Sequence, residues 1–405
     1  MLETVAREIR EQVPWRHRSV FTIACMGMLL FGIVLTTLGA ILPDIITRFN
    51  VSKASAGSLF LLMSFTILLG SLLFGPSVDR LGYRAPLLAA SALVAVGIET
   101  IAFAPSLLAV RVGVALIGLG GGVLNVATNG VVADTAESGK AAGLSLLGVF
   151  FGIGAVGVPF TIGTLQNVAS QQTVLASLGG IAVITVVATA LTAFPLPKQP
   201  QSFPLQRALQ MIREEPLVLL GLMLFLQSGM EITVGGWTST FAREALALNG
   251  RAALFFLSLY WLGTMSARLL LGSLLKTIAP LRVLAVSLAL AFFGVLVLIT
   301  SHATTFAAGG VFLVGAGFAA VFPVVLGWLG ERYQALSGTA FSIALVMALT
   351  GGMLLPYATG LISERFGMRT SLIIVPVALL LSATLLTVVT ARRLIAIHPQ
   401  KETAS

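Results

Sequence analysis

The sequence is poor in charged residues and contains a single cysteine. Only 10% of its 405 residues are Asp, Glu, Lys or Arg, and 57% are hydrophobic, whereas soluble domains carry roughly 25% charged residues. This balance excludes an ordinary soluble domain and indicates a chain whose surroundings are mostly lipid. Because Cys25 has no second cysteine to pair with, an intramolecular disulfide framework is excluded as well.

Signatures of catalysis and nucleotide binding are also missing. The three histidines, His17, His302 and His398, lie at or outside the ends of predicted helices. The 42 glycines recur within apolar runs, and none belongs to a phosphate-binding loop that ends in Gly-Lys-Ser or Gly-Lys-Thr. We therefore expect no enzyme activity, no metal and no cofactor. The net charge of +9 comes mainly from basic residues in short loops, so it predicts membrane topology and no nucleic-acid partner.

Twelve apolar runs are long enough to cross a membrane, since a spanning helix needs about 20 mostly apolar residues. Their approximate bounds are 19–42, 54–76, 85–104, 107–132, 141–164, 173–194, 216–242, 251–274, 279–300, 303–330, 337–362 and 368–391. The sequence thus predicts an all-α polytopic membrane protein with twelve transmembrane helices in two pseudo-symmetric six-helix bundles. The predicted parts are an N-terminal segment 1–18, bundles 19–194 and 216–391, a linker 195–215 and a tail 392–405.

The distribution of basic residues predicts the orientation of the chain. Most loop arginines and lysines fall on the side that holds both termini and the linker 195–215. Because basic loops stay in the cytoplasm, both termini and the linker are expected there. We expect an integral protein of a bacterial cytoplasmic membrane.

One pattern occurs twice, in 75–84 (GPSVDRLGYR) and in 360–369 (GLISERFGMR). Each copy has a glycine, then an acid and arginine, then a second glycine and a final arginine. An odd number of predicted spans separates the copies, so they are expected on opposite sides of the membrane. Inverted repeats with this relation are typical of secondary transporters.

The first copy resembles the signature loop after helix 2 of the major facilitator superfamily, and residues 111–120 resemble its helix 4 motif. The resemblance covers the whole chain and implies secondary transport by alternating access. Four further segments resemble the branch of fucose–proton symporters and related sugar permeases, namely 118–129, 229–237, 260–268 and 315–323. This second resemblance implies a monosaccharide substrate. The titrating acid of that branch falls on Asn125 here, so proton coupling by that route is not expected.

The repeated loop has two interpretations. It is either a latch that holds one conformation of the two halves or a basic loop that only anchors helix ends, and family resemblance favours the latch. The gating residues of this interpretation are Gly75, Asp79, Arg80, Gly82, Arg84, Arg268, Glu364 and Arg365.

Glu231 is the most informative candidate for a substrate or coupling site. It lies within a predicted span, where a charge costs roughly 2.5–3.5 kcal/mol unless it is paired, protonated or hydrated. It is interpreted either as a proton carrier or substrate ligand, or as half of an ion pair with Arg268 or Arg111. By resemblance, Arg111 is also a candidate for proton coupling, although a purely structural arginine fits it equally well.

Several uncharged side chains are candidates for contact with a polar solute. Asn125 and Asn129 share one face of a predicted helix, and their amides suit either sugar hydroxyls or interhelical hydrogen bonds. Aromatic rings can stack on a sugar, but they also populate membrane interfaces. The predicted substrate-binding set is Thr36, Asn125, Asn129, Gln227, Glu231, Trp237 and Trp261.

The sequence analysis therefore favours a monomeric carrier in the lipid bilayer that moves a small polar solute. A monosaccharide is the preferred substrate, and its transport is expected to be either facilitative or coupled to protons through Glu231. Two alternatives remain open at this point. One is proton-driven efflux of hydrophobic compounds, and the other is a membrane receptor or scaffold that transports nothing.

Overall fold

The computed structural model describes residues 18–135, 140–194 and 209–395. Within these ranges, twelve helical spans are long and apolar enough to cross a membrane, which confirms the predicted twelve-helix, all-α fold. In chain order they are α1 Arg18–Phe49, α2 Lys53–Leu81, α3 Arg84–Ala102, α4 Leu107–Thr135, α5 Lys140–Leu165, α6 Gln171–Leu191, α7 Glu215–Ala245, α8 Gly250–Thr277, α9 Pro280–Thr300, α10a Thr304–Phe318, α10b Val321–Arg332, α11 Ser337–Phe366, α12a Met368–Ser371 and α12b Ile374–Ala391.

Helix α1 is longer than the sequence predicts. Its apolar run is expected to end at residue 42, before Pro43 and Asp44, but the helix continues to Phe49. Proline is tolerated inside membrane helices because neighbouring groups satisfy the freed backbone. Asp44 is tolerated because the Arg243 guanidinium donates to both of its carboxylate oxygens, at 2.7 and 3.3 Å.

The described residues form two compact units. The first unit ends at Leu38 within α1, resumes at Phe65 within α2 and continues through α6. The second unit consists of Gly39–Ser64 and the helices from α7 onward. The division into bundles 19–194 and 216–391 stays a prediction. The segment 1–17, most of the linker (195–208) and the end of the tail (396–405) lie outside the described residues.

A glycine triplet in α4 organises the first unit. A Cβ on Gly120 would collide with the backbone of Ala90 in α3, and one on Gly122 with the backbone of Ile67 in α2. Between them, Gly121 faces the Val34 side chain of α1. Small residues let membrane helices approach closely, so this triplet serves helix packing and not phosphate binding.

Helix α7 is central to the second unit, where it packs most extensively against α11 and also against α8 and α12b. Gly351 of α11 lies directly on the backbone of Phe225 in α7, with no room for a side chain. Gly315 of α10a lies in the same way on the backbone carbonyl of Tyr260 in α8. These two close approaches bring α7, α8, α10 and α11 together around the polar side chains described below.

The tenth span is broken at Ala319 and Ala320, between α10a and α10b. Pro323 lacks the N–H that would bond to the Ala319 carbonyl in a continuous helix, and its ring would clash with that carbonyl. The chain passes through a tighter turn instead, in which the Ala319 amide donates to the Ala316 carbonyl at 3.4 Å. The break leaves backbone groups in need of other partners within the membrane.

Candidate substrate and coupling site

A carboxylate and a guanidinium meet within the second unit. Glu231 lies near the middle of α7, and its side chain is only 12% exposed. A terminal nitrogen of Arg268, from α8, lies 3.5 Å from its Oε1 atom, and the Arg268 side chain is 28% exposed. The opposite charges compensate each other in a region where a lone charge is costly. Of the two partners that the sequence leaves open for Glu231, the structure brings Arg268 to it.

Gln227 lies between Glu231 and the break in the tenth span. It precedes Glu231 by one helical turn, so both side chains project from one face of α7. Its Nε2 atom donates to the Phe318 carbonyl, at the break, at 3.1 Å. Its Oε1 atom is buried and has no hydrogen-bond partner among the described residues. The site therefore contains a carboxylate and an unused amide acceptor beside a helix break.

Tyr260 completes this group and was not among the predicted site residues. Its hydroxyl donates to the Glu231 backbone carbonyl at 3.2 Å. Its ring meets those of Trp261 and Phe318 edge-on, with centroids 5.0 and 6.4 Å away. A tyrosine within an otherwise apolar run was the available sequence signal, because a buried phenol needs a polar partner. We call Gln227, Glu231, Tyr260, Arg268 and the Phe318 carbonyl the Glu231 cluster.

The two predicted tryptophans lie close to this cluster but are tightly packed. Trp237 is fully buried, its Nε1 atom donates to the Pro356 carbonyl at 3.0 Å, and its ring lies 5.9 Å from that of Phe60. Trp261 is also buried and packs against Tyr260. Contact of either indole with a substrate stays a prediction.

Three predicted substrate-binding residues belong to the first unit. Thr36 is fully buried in α1, and its hydroxyl has no hydrogen-bond partner within the described part of the chain. In α4, the Asn129 amide nitrogen donates to the Asn125 backbone carbonyl at 2.8 Å. Both asparagines are half-buried. Asn129 thus uses a donor within its own helix, and substrate binding by these residues stays a prediction.

Arg111 and Glu99 occupy peripheral positions. Arg111 lies in the first turns of α4 and is exposed, and its role in proton coupling stays a prediction. The Glu99 carboxylate lies over Gly179 of α6, where a Cβ would collide with it. This contact joins α3 to α6 and gives Glu99 a packing role.

The first copy of the repeated loop is held in place by its aromatic and basic residues. Gly82 ends α2 with a φ of 71°, a backbone conformation that glycine adopts without strain. Tyr83 donates to the Asp134 carboxylate of α4 at 2.6 Å. Burial, with help from this hydrogen bond, raises the pKa of Tyr83 well above its ordinary value, so the phenol keeps its donor proton. Arg84 donates to the Ala190 carbonyl at the end of α6.

The acid of the first copy has no comparable contact. Asp79 and Arg80 are exposed, as are Gly75 and Arg84. The Asp79 carboxylate has no hydrogen bond or ion pair with any residue in the described ranges. Among these residues, none therefore holds the predicted latch residue by such a contact.

The second copy makes contacts through its acid and its final arginine. Glu364 accepts hydrogen bonds from the backbone amides of Lys53, at 2.7 Å, and Ala54, at 3.3 Å. These amides begin α2, so the carboxylate caps the positive end of that helix. Gly367 follows α11 with a φ of 81°. Arg365 is exposed.

Arg369 caps the C-terminal ends of two helices. Its guanidinium donates to the carbonyls of Ile299 and Ser301 at the end of α9, at 2.8 and 3.0 Å. It also donates to the Ala245 carbonyl at the end of α7, at 3.0 Å. A cation at this place satisfies carbonyls that lack partners within their own helices.

Two ion pairs lie beside the Glu364 cap. Asp44 of α1 pairs with Arg243 of α7. The Lys53 ammonium of α2 lies 2.5 Å from the Glu244 carboxylate of α7. These two pairs and the Glu364 cap, which we call the clasp, fasten Gly39–Ser64 to α7 and α11 within the second unit. Glu364 thereby contacts the first residue of α2, whereas Asp79 lies near the opposite end of that helix.

Three comparisons place this architecture among known proteins. Residues 24–348 match the family model described as Major Facilitator Superfamily. An uncharacterized MFS-type transporter of Bacillus subtilis, YfkL, is 26% identical over 168 residues, which are 38% of this chain and 42% of that protein. The chain thus aligns with less than half the length of this curated relative.

Solved structures resemble the chain over nearly its whole length. A D-xylose–proton symporter has a TM-score of 0.76 at 18% identity, with 92% of this chain and 97% of that chain covered. The nucleoside transporter NupG has a TM-score of 0.78 at 13% identity, with 91% and 99% covered. A bacterial homologue of the human lysosomal transporter Spinster has a TM-score of 0.78 at 14% identity, with 95% and 99% covered.

The fold and these matches define a membrane transporter and not an enzyme. The chain belongs to the major facilitator superfamily. Among the described residues, no group of three His, Cys, Asp or Glu side chains is arranged to hold a metal ion. The Glu231 cluster places a carboxylate and a guanidinium within two spans of the second unit.

Proposed function

We propose that this transporter carries a small polar organic solute, most favourably a monosaccharide, by alternating access, and that Glu231 couples transport to protons. The observation that carries the proposal is the Glu231 cluster beside the broken tenth span. Transporters of this kind build their substrate sites near the middle of the bilayer from discontinuous helices. The Glu231 carboxylate and the unused Gln227 acceptor suit a solute rich in hydroxyl donors.

The Glu231 carboxylate can either stay paired with Arg268 or exchange this contact for a proton or a solute hydroxyl. With Arg268 at 3.5 Å the carboxylate charge is compensated, but the distance is long for a strong charge-assisted hydrogen bond. A proton or a solute hydroxyl can therefore replace this contact without breaking an optimal one. Such an exchange links occupancy of the site to the state of Glu231, which symport requires.

The clasp supplies the second element of alternating access. Glu364, Lys53 and Asp44 make contacts that are exposed or only half-buried, so water can replace them at modest cost when the conformation changes. Release of Gly39–Ser64 from α7 and α11 would open this end. The fold also occurs in a D-xylose–proton symporter and in a nucleoside transporter, and both substrates named there carry several hydroxyls.

A binding screen followed by transport measurements tests the proposal. The purified protein is heated in the presence of monosaccharides, nucleosides, amino acids or lipophilic cations, because a bound ligand raises the melting temperature. The best ligand is then assayed for uptake into proteoliposomes with and without a proton gradient. We expect stabilisation by a monosaccharide and gradient-driven uptake.

Other results of the screen would select the alternatives. Stabilisation by lipophilic cations alone, together with their proton-driven movement, would establish efflux of hydrophobic compounds. A ligand that binds but never crosses the membrane would indicate a receptor. Uptake that ignores the proton gradient would reject coupling and retain facilitated transport.

A further inference from the structure

An apolar groove lies within the second unit, and its lining includes no residue of the Glu231 cluster. Its volume is about 520 Å³, which falls within the range of ligand-binding cavities. It runs between α8, α9 and α10, and its walls are formed mainly by Leu270, Leu274, Val286, Leu290, Phe312 and Ala316. Leu270, Leu274 and Val286 are strongly exposed, so the groove opens on the surface that faces the acyl chains of the bilayer.

The break in the tenth span creates the space for this groove. Ala316, Ala319 and Ala320 line it at the break, where larger side chains would fill the volume. Its floor is a small buried cluster of Leu271, Val283 and Ala320. The groove therefore follows from the helix break and from the small side chains at it.

One end of the groove is basic. Arg282 lines the groove and is exposed. Its guanidinium makes no hydrogen bond or ion pair with any residue that the structure describes. Lys276, also exposed, lies in the last turn of α8, so two cations flank the turn that leads into α9.

The position of Arg282 is unfavourable for its own helix. It lies in the first turn of α9, which contains no acidic residue, and a cation there opposes the helix dipole. An anion bound at this end would be stabilised by Arg282, by Lys276 and by the helix terminus together. The arginine is explained by a ligand better than by helix stability.

We propose that this groove binds one anionic phospholipid, with an acyl chain between α8, α9 and α10 and the phosphate at Arg282 and Lys276. Basic pockets between membrane helices recognise anionic headgroups in this way, and burial of an acyl chain adds stabilisation for each methylene group. The predicted topology places this end in the cytoplasmic leaflet. A neutral apolar compound would gain nothing from the two cations, and a free phosphate ion would gain nothing from the apolar walls.

Lipid titration of the purified protein tests the headgroup. Phosphatidylglycerol and phosphatidylcholine with identical acyl chains are added to the protein in neutral detergent, and binding is followed by native mass spectrometry and by the melting temperature. We expect tighter binding of phosphatidylglycerol, and a loss of affinity of about fivefold in Arg282→Gln. Arg332→Gln removes an exposed arginine at the end of α10b, outside the groove, and should leave binding unchanged.

Equal binding of the two lipids, or unaltered binding by Arg282→Gln, would overturn the proposal. Lys276→Gln provides a second headgroup variant if Arg282→Gln does not fold. It should also weaken binding of phosphatidylglycerol and leave that of phosphatidylcholine unchanged.

A second set of measurements tests the acyl groove. Ser287→Leu places a larger side chain on the α9 wall and should weaken binding of phosphatidylglycerol, and Leu290→Trp serves the same purpose if that variant does not fold. Glycerol phosphate that binds as tightly as the lipid would leave the groove without a role. Dodecanol that binds as tightly would make it a site for neutral compounds. Either result would overturn the phospholipid assignment.

Discussion

The two compact units differ in the polar groups at their predicted substrate-binding positions. The second unit contains a carboxylate, Glu231, which is paired with the Arg268 guanidinium beside a broken helix. The first unit offers only neutral groups at these positions, namely Thr36, Asn125 and Asn129. A carboxylate can take up and release a proton, whereas amides and hydroxyls can only form and break hydrogen bonds. We infer that coupling resides in the second unit and that the first unit supplies recognition.

The two copies of the repeated loop also differ from each other, in the contacts that their acids make at helix ends. Arg84 and Arg369 perform the same task, since each donates to carbonyls at the ends of neighbouring helices. The two acids have different contacts, because Glu364 caps the start of α2 and Asp79 is exposed. The arginines thus anchor helix ends in both copies, whereas among the described residues only the acid of the second copy has a contact of this kind.

The substitution with the largest expected effect, Glu231→Gln, tests whether coupling resides in the second unit. Glu231→Gln should abolish uptake against a gradient and flatten the pH dependence of transport, because the amide cannot carry a proton. Exchange of substrate across the membrane should persist. If Glu231 also binds a solute hydroxyl, binding should weaken by roughly 1.5–3 kcal/mol. Transport is measured in proteoliposomes at several pH values.

Glu99→Gln is the matched control for this variant. Glu99 is also an acid within a span, but it lies over Gly179 and outside the Glu231 cluster. Its amide variant should retain gradient-driven uptake. If Glu231→Gln still takes up substrate against a gradient, with unchanged pH dependence, coupling does not use the Glu231 carboxylate.

The asparagines of the first unit test recognition by neutral groups. Asn125→Ala should weaken substrate binding by about 1 kcal/mol, or roughly fivefold, because one neutral hydrogen bond is lost. Asn129→Ala should cost less, since its amide already donates to the Asn125 carbonyl. Calorimetry of both variants measures the difference. Equal binding by the wild type and both variants would remove the asparagines from the site.

The sequence predicts the spans well because each one must bury about 20 apolar residues in lipid. The predicted and observed bounds agree within a few residues for most helices. Helix α1 is an exception, because the proline and the charge at Pro43 and Asp44 predict that the helix ends before them. The helix continues because Arg243, which is distant in sequence, compensates Asp44.

The candidate site could be predicted only in part. An acid within an apolar run identifies Glu231 directly. Its partner Arg268 is 37 residues away, and hydropathy does not say which helices touch, so Arg111 remained an equal choice. The Tyr260 hydroxyl bonds to a backbone carbonyl, and Glu364 bonds to backbone amides. Such partners leave no trace in side-chain patterns.

The clasp allows a direct test of the engaged acid. Glu364→Gln removes the charge that caps α2, which should cost about 1 kcal/mol and shift the conformational ratio about fivefold towards the open clasp. A cysteine at Thr240, which is fully buried near the end of α7, reports this shift through its labelling rate in a Cys25→Ser background. Glu331→Gln, an exposed acid at the end of α10b, serves as the control. Unchanged labelling would show that the cap does not hold this conformation.

Asp79→Asn should have the smallest effect on equilibrium properties. Since the Asp79 carboxylate has no hydrogen bond or ion pair among the described residues, the variant should leave the melting temperature, substrate binding and Thr240 labelling almost unchanged, within about 0.5 kcal/mol. Transport should nevertheless slow if Asp79 becomes engaged in another conformation, because a contact made only there changes the rate of interconversion. Stopped-flow exchange measurements separate that rate from binding. A shift in Thr240 labelling as large as that of Glu364→Gln would mean that both acids hold the same conformation, and the contrast between the two loops would then be wrong.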